Sequence, residues 1–140
     1  MKKVLKSTLA LILCLAFCVC LIACNDVEKT GIWETATYLS DTELGQGTKQ
    51  IQVVISGEDH SITLTINTEK DNLGDALYEL NLIDNASYFV TINGMTAVYT
   101  SSNQAWWKVC DADGNALPYG VSDAQISGGE LFKIVYTIGF

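Results

Sequence analysis

The adjacent tryptophans Trp106 and Trp107 are the residues of this sequence best suited to binding chemistry. Neighbouring residues of a strand point to opposite faces of a sheet, so one indole is expected in the core and the other at the surface. The exposed indole, with Tyr99, Tyr119 and the backbone at Gly120, could form a flat surface for a ring-shaped ligand, a sugar or a peptide. The alternative is structural packing at the sheet edge. These five residues form the predicted ligand-binding site.

Residues that perform catalysis or bind metals are sparse. His60 is the only histidine, so a transition-metal site lacks a second imidazole and a Ser/His/Asp triad would have His60 as its only base. Asp111, Asp113 and Asn115 alternate as in a calcium loop, but the glycine comes fourth instead of sixth and no glutamate stands at the twelfth position. This segment predicts a hairpin turn. We expect no metal, no cofactor and no enzymatic activity.

The N-terminus has the pattern of an exported bacterial lipoprotein. Three lysines among the first six residues precede an apolar run at residues 9–23, which is typical of a signal segment. The sequence L-I-A-C at residues 21–24 resembles the lipobox, whose cysteine receives a diacylglyceryl group. A plain transmembrane anchor is the alternative, because about 20 apolar residues would span a bilayer. Residues 1–23 are predicted as a lipoprotein signal peptide, and residues 24–47 as the N-terminus lipidated at Cys24 and a tether.

The charge of the mature chain limits its partners. Removal of residues 1–23 takes three of the eight lysines, which leaves five positive and sixteen negative side chains, a net charge of −11. Nucleic acid and an anionic bilayer surface are disfavoured because both need neutralising cations. Lipid on Cys24 would instead hold the protein at the outer face of the cell membrane of a bacterium, expected to be Gram-positive. The acidity suits solubility, although it leaves room for a catalytic carboxylate pair.

One domain is expected at residues 48–140. Removing residues 1–23 from the 140-residue chain leaves 117, which is enough for one core and too few for two. Cys110 is the one cysteine that remains after signal removal and lipidation, so no disulfide can form within the domain. Because Cys110 lies in an apolar strand pattern, a buried small hydrophobe is favoured over a reactive thiol.

The first half of the domain predicts a hairpin and a helix. Residues 49–56 and 61–67 alternate apolar and polar side chains around a G-E-D-H turn, which is typical of a β-hairpin with one core face. Residues 71–82 place apolar side chains near the i, i+3, i+4, i+7 positions of a helix of about three turns. Asp71 or Asn72 could cap its first turn by accepting backbone N–H bonds.

The second half of the domain predicts four more strands, at residues 88–93, 106–111, 115–119 and 131–138. Residues 95–99 could continue the first of these past a kink or bulge at Gly94. Asp113-Gly114 is a hairpin signal between the second and the third, and the last strand is expected to close the sheet. The order of elements predicts the α+β class, with a β-grasp-like mixed sheet and one helix packed across it.

The segment before the hairpin leaves two interpretations open. Residues 32–39 could be a first strand or a mobile lead-in. Trp33 could pack on the domain or belong to a linker that carries one exposed aromatic side chain.

Three motifs in order carry a family resemblance. They are N-L-G-D-A-L at residues 72–77 after a strand pair, I-N-G at residues 92–94, and the tryptophan- and glycine-rich segment 106–136. Together they resemble bacterial lipoprotein and surface domains of unknown function similar to the C-terminal β domain of transcobalamin and intrinsic factor. Trp106 stands where these domains often have tyrosine.

That resemblance covers nearly the whole mature domain and implies a β-grasp-like fold. It also implies cobalamin or another corrinoid as a ligand. In the vertebrate transporters the β domain closes over cobalamin held by a larger helical domain. This chain would therefore need a second protein, or would bind a corrinoid weakly alone.

The sequence thus predicts a non-enzymatic, lipid-anchored surface module whose loops within residues 106–136 bind a small molecule, with a corrinoid the leading candidate. The alternative is a protein-interaction module of the cell envelope or of adhesion. Such a module would bind its partner through an exposed edge strand or an acidic face. No nucleic-acid partner is expected.

Overall fold

In a computed structural model of the protein, residues 28–139 are described. The predicted signal peptide and the lipidation site Cys24 lie outside the described residues. Between residues 28 and 139, no helix has the length and apolarity needed to cross a membrane.

A five-stranded sheet forms the body of the domain, beside a two-stranded sheet. The strands are β1 (Thr42–Gly45), β2 (Lys49–Gly57), β3 (His60–Thr68), β4 (Thr91–Ile92), β5 (Met95–Thr96), β6 (Ala105–Cys110) and β7 (Leu131–Ile138). The large sheet has the order β1-β3-β2-β7-β6, in which the β1–β3 and β2–β7 pairs are parallel and the others antiparallel. The predicted α+β class with a mixed sheet and one helix is confirmed.

The β2–β3 hairpin supplies the centre of the core. Its arms are joined by the two-residue turn Glu58-Asp59, and Glu58 adopts a positive φ of 53°. Alternate residues of both arms are almost fully buried: Ile51, Val53, Ile55, Ile62, Leu64 and Ile66. Burial of each such side chain contributes about 1.5–3 kcal/mol relative to its exposure. The hairpin predicted from the alternation is therefore present, one residue longer in β2 and two in β3.

The helix α1 (Leu73–Glu79) is shorter than the predicted three turns, with seven residues. Its N-cap is Asn72, whose Oδ1 accepts the Asp75 N–H at 2.8 Å. The buried Leu73 and Leu77 pack in the hydrophobic core. A Cβ at the helical Gly74 would overlap the Ala86 carbonyl oxygen, so only glycine lets the chain pass this close.

The predicted continuation of a strand past Gly94 was wrong. Asn93 and Gly94 have φ values of 54° and 80°, which are those of a two-residue type I′ turn. The turn reverses the chain and pairs β4 with β5 as an antiparallel hairpin. Residues 115–119, also predicted as a strand, contribute only one bridge, between Ala116 and Cys110.

The predicted role of the last strand was also wrong. β7 pairs in parallel with β2 and antiparallel with β6, so it lies inside the sheet instead of closing it. β6 is consequently an edge strand.

The segment before the hairpin joins the domain. Gly31–Thr35 is a 3-10 helix rather than a strand, and its Trp33 is 2% exposed. The Trp33 Nε1–H donates to the Gly57 carbonyl at 2.9 Å, which fastens this segment to the end of β2. β1, within the residues assigned to the tether, pairs with β3. The folded domain therefore begins before residue 48.

Asn93 holds three segments together through four hydrogen bonds. Its Oδ1 accepts the Tyr38 N–H and its Nδ2 donates to the Tyr38 carbonyl, both at 2.9 Å. Its backbone carbonyl accepts the Thr37 N–H at 2.8 Å, and its own N–H donates to the Leu82 carbonyl at 2.7 Å. Asn93 is 1% exposed, so water cannot replace these bonds. We call this group of bonds the Asn93 clasp.

Replacement of Asn93 should destabilise the fold strongly. Asn93→Ala removes both side-chain bonds to Tyr38 and places alanine at a positive φ. We expect the free energy of unfolding to fall by about 2–3 kcal/mol in urea denaturation. Asn103→Ala is the control, because its Nδ2 donates only a 3.3 Å bond in an exposed loop. The control should cost at most about 0.5 kcal/mol. Equal losses in the two variants would contradict a special role for Asn93.

Candidate functional site

The two tryptophans of β6 differ in environment, as strand alternation predicts. Trp107 is 7% exposed, and its ring contacts the Tyr136 ring edge-on at 5.3 Å between centroids. Its Nε1–H donates to the Val90 carbonyl at 3.1 Å. Trp106 is half-buried, and its Nε1–H donates to the Gly139 carbonyl at 2.8 Å. Trp107 is therefore the core residue, and Trp106 lies on the other face of the sheet.

A cleft of about 330 Å³ runs along the free edge of β6. Its lining consists of residues 106–109 of β6, residues 87–89, and most of residues 116–121. Four consecutive residues of one strand can line a cleft only where that cleft follows the strand's edge, because their side chains alternate between the faces. We call it the β6 cleft.

Four of the five predicted site residues meet in the β6 cleft. Trp106, Trp107, Tyr119 and Gly120 line it, and Tyr119 is 50% exposed. Tyr99 is 57% exposed and is not among the lining residues. It forms a bridge with Gln104, next to the start of β6.

One wall of the cleft was not anticipated from the sequence, which assigned residues 88–93 to a strand. Tyr88 and Phe89 line the cleft from an irregular segment instead. The Oδ1 of Asn85 accepts the N–H of Ser87 at 2.9 Å and of Tyr88 at 3.2 Å. A Cβ at Gly120 would lie 3.6 Å from the Ser87 carbonyl oxygen, so the two walls approach each other there.

The opposite wall depends on the turn that Asp111 organises. The Oδ1 of Asp111 accepts the N–H of Asn115 at 2.9 Å and of Asp113 at 3.0 Å. The chain then pairs back on β6, where the Leu117 N–H donates to the Val109 carbonyl at 2.9 Å. The hydrogen bond from the Asn115 backbone is the main cause that lowers the pKa of Asp111, against an opposing effect of desolvation. The carboxylate thus serves the turn, as the spacing of its glycine indicates.

Lys108 is the one charged residue among those that line the cleft, and the remainder is mostly aromatic and aliphatic. Aromatic faces bind flat apolar groups, while a single cation can orient an anionic or carbonyl-bearing group. The missed lining residues Tyr88, Phe89 and Leu117 carry no sequence motif. Only the fold brings them together.

Two further candidate residues, His60 and Cys110, pack within the fold and do not line the cleft. The His60 ring packs edge-on against Trp33 at 4.5 Å, and its Nε2 lies 3.0 Å from the Leu39 carbonyl oxygen. Cys110 is buried. Over the described part of the chain, no three His, Cys, Asp or Glu side chains are grouped so that they could hold a metal ion.

Comparison with known proteins identifies solved structures that resemble this chain. No protein-family model and no curated protein matches the sequence. A crystal structure from Ruminococcus gnavus, described as a "putative metal binding protein", is similar over 66% of this chain and 100% of its own, with a TM-score of 0.59 and 24% identity. A haptocorrin complex with Cbi is similar over 66% of this chain and 25% of its own, with a TM-score of 0.49 and 11% identity.

This chain therefore shares its fold with the Ruminococcus gnavus protein. Within residues 28–139, the two sheets and the one α-helix define a small α+β domain.

The titration of Asp111 can test the turn that supports the cleft. A pKa lowered by folding means that the ionised form stabilises the turn above the unfolded pKa, and that this contribution is lost as pH falls through the folded pKa. We expect carboxyl NMR to give Asp111 a midpoint below the ordinary 3.8 in the folded chain. Asn115→Ala should raise it partly, since the backbone bond remains. The urea-unfolded chain is the control, and a folded midpoint at or above 3.8 would contradict the geometry.

Proposed function

We propose that the protein is a non-enzymatic, lipid-anchored binding module at the outer face of a bacterial cell membrane. Its binding site is the β6 cleft, and its ligand is a small molecule with a flat body. The observation that carries this proposal is the aromatic lining of a cleft at a sheet edge, which includes Tyr88, Phe89, Trp106, Trp107 and Tyr119. Concave sites with apolar walls and few polar groups are typical of small-molecule binding.

The volume of the cleft limits the mode of binding. About 330 Å³ is near the lower end of the range of roughly 300–1,000 Å³ for sites that bury a drug-sized ligand. A corrinoid, the leading candidate from the sequence resemblance, is larger than such a ligand. It could therefore place only one edge of its ring between the walls, which fits weak binding alone or binding shared with a second protein.

The lining supports a binding role over catalysis. The residues that form the cleft include no carboxylate and no histidine. General acid–base chemistry would have to rely on Lys108 and on tyrosine hydroxyls, without the paired groups that such catalysis uses.

Corrinoid binding should be visible through the tryptophans. Cyanocobalamin added to the full-length protein in detergent should quench its fluorescence beyond the inner-filter effect, because the ring would lie against Trp106. Tyr119→Ala should weaken binding about two- to tenfold, since an aromatic contact contributes about 0.5–1.5 kcal/mol. Tyr78→Ala is the matched control, because Tyr78 is similarly exposed at 53% and does not line the cleft. No specific quenching at high micromolar cobalamin would rule out direct corrinoid binding.

The lipid anchor can be tested separately. The unaltered protein should carry the mass of the acyl chains and Cys24→Ala should lack it, because the Cys24 thiol is their predicted attachment point. Cys110→Ala is the control and should keep the acyl mass, since Cys110 is buried within the domain. Absence of acyl mass from the unaltered protein in the membrane fraction would favour a plain transmembrane anchor.

A protein-interaction module is the second candidate function. The observation that favours it is the position of β6 at the edge of the sheet, where its backbone borders an open cleft. An envelope protein would be the expected partner.

A further inference from the structure

The hydrogen bonds of β6 alternate along the strand. The Gly139 N–H donates to the Gln104 carbonyl, which makes Gln104 and Gly139 a hydrogen-bonded pair. Because such pairs alternate in an antiparallel ladder, the backbones of Trp106 and Lys108 also bond to β7, opposite Thr137 and Val135. The backbones of the residues between them, Trp107 and Val109, point away from β7.

This outward edge is already paired at both of its ends. At one end, the Val109 carbonyl accepts the Leu117 N–H and the Asp111 N–H donates to the Asn115 carbonyl, both at 2.9 Å. At the other end, Tyr99 and Gln104 form an antiparallel bridge. Each flanking segment therefore continues the sheet beyond β6 for a short distance.

Between these two pairings the edge is open. Within residues 28–139, no group bonds to the N–H or C=O of Trp107 or to the N–H of Val109. Both residues line the β6 cleft. Buried backbone groups are almost always paired, so polar groups left open in a cleft are available to a ligand that can match them.

The other edge of the sheet is less suited to pairing. β1 has four residues and ends at Gly45, which has a φ of 75°. It carries the charged Glu43, whose Oε1 accepts a bond from the Asn67 side chain. Short edge strands with charged side chains resist the addition of another strand. The open part of β6 instead borders the apolar lining of the cleft.

We infer that the open edge of β6 binds an extended peptide segment of a partner protein, which joins the sheet next to Trp107. In antiparallel addition, one peptide residue would form two backbone hydrogen bonds with Trp107: its N–H would donate to the Trp107 carbonyl, and its carbonyl would accept the Trp107 N–H. The carbonyl of the peptide residue two positions earlier would accept the Val109 N–H. Side chains of the peptide alternate, so an apolar or aromatic residue beside the paired one enters the cleft against Phe89 and Leu117. The strong negative charge of the mature chain favours neutral or basic flanks.

This inference goes beyond the small-molecule function but uses the same cleft, so a peptide and a corrinoid would compete for it. A phage-displayed library of random heptapeptides, selected on the full-length protein in detergent, supplies the probe. We expect the enriched sequences to share one apolar residue, with β-branched or aromatic residues two positions before and after it. The tightest peptide should then be made in versions that carry one N-methyl group at each position in turn.

The positions of the harmful N-methyl groups identify strand addition. Methylation should weaken binding about tenfold or more at the one position whose N–H donates to the Trp107 carbonyl, and by less than about threefold at the positions on either side of it. On the protein, Val109→Pro should weaken binding by a similar factor, because it deletes an outward N–H that the β6–β7 ladder does not use. The methylated peptides test the same bonds on the unaltered protein, so the outcome does not depend on the folding of this variant.

The results that would contradict strand addition differ from those that would contradict the small-molecule function. No enrichment, or a peptide whose affinity is equally sensitive to methylation at neighbouring positions, would overturn strand addition. Cobalamin titration of the same samples is read independently. Quenching by cobalamin without peptide binding would leave the corrinoid proposal intact and refute this one, while peptide binding without quenching would do the reverse.

Discussion

The buried Asn93 clasp is the constraint on which the positions of the outer segments depend. Apolar contacts are non-directional, so the core alone does not decide where the N-terminal segment lies against the β4–β5 turn. The two bonds between the Asn93 side chain and the Tyr38 backbone do decide it, because a shift by one residue would leave buried polar groups without partners. The nearby Trp33 is then placed to cover the end of β2.

The same constraint extends to the cleft. The hairpin that Asn93 turns brings the Val90 carbonyl to a point where it accepts both the Ala97 N–H at 2.9 Å and the Trp107 Nε1–H at 3.1 Å. One carbonyl thereby fixes the two-stranded sheet, the orientation of Trp107 and the wall formed by residues 87–89. The cleft is therefore held by regular pairing and buried bonds, although much of its lining lies in irregular segments.

Features with local signals could be predicted from the sequence, and features that depend on distant pairing could not. Alternation of side chains indicated the β2–β3 hairpin, and residue type limited the helix cap to Asp71 or Asn72. Because side chains alternate along a strand, the sequence placed the two tryptophans on opposite faces of the sheet. Only the contacts with Tyr136 and Val90 decide that Trp107 is the buried one. The parallel pairing of β7 with β2 has no local signal, so the position of β7 inside the sheet and the wall that includes Phe89 were missed.

The geometry of the cleft favours ligands that combine a flat apolar group with backbone-like polar groups. It is too small to enclose a corrinoid, and its open edge is too short to hold a long strand. Either ligand would therefore be bound weakly by one copy, since affinity depends on how much of the ligand is desolvated and ordered. The proposed lipid anchor would offset this weakness, because many copies held at one membrane surface can engage a partner together. Multivalent engagement raises overall affinity without any new contact, provided that the sites can be reached simultaneously.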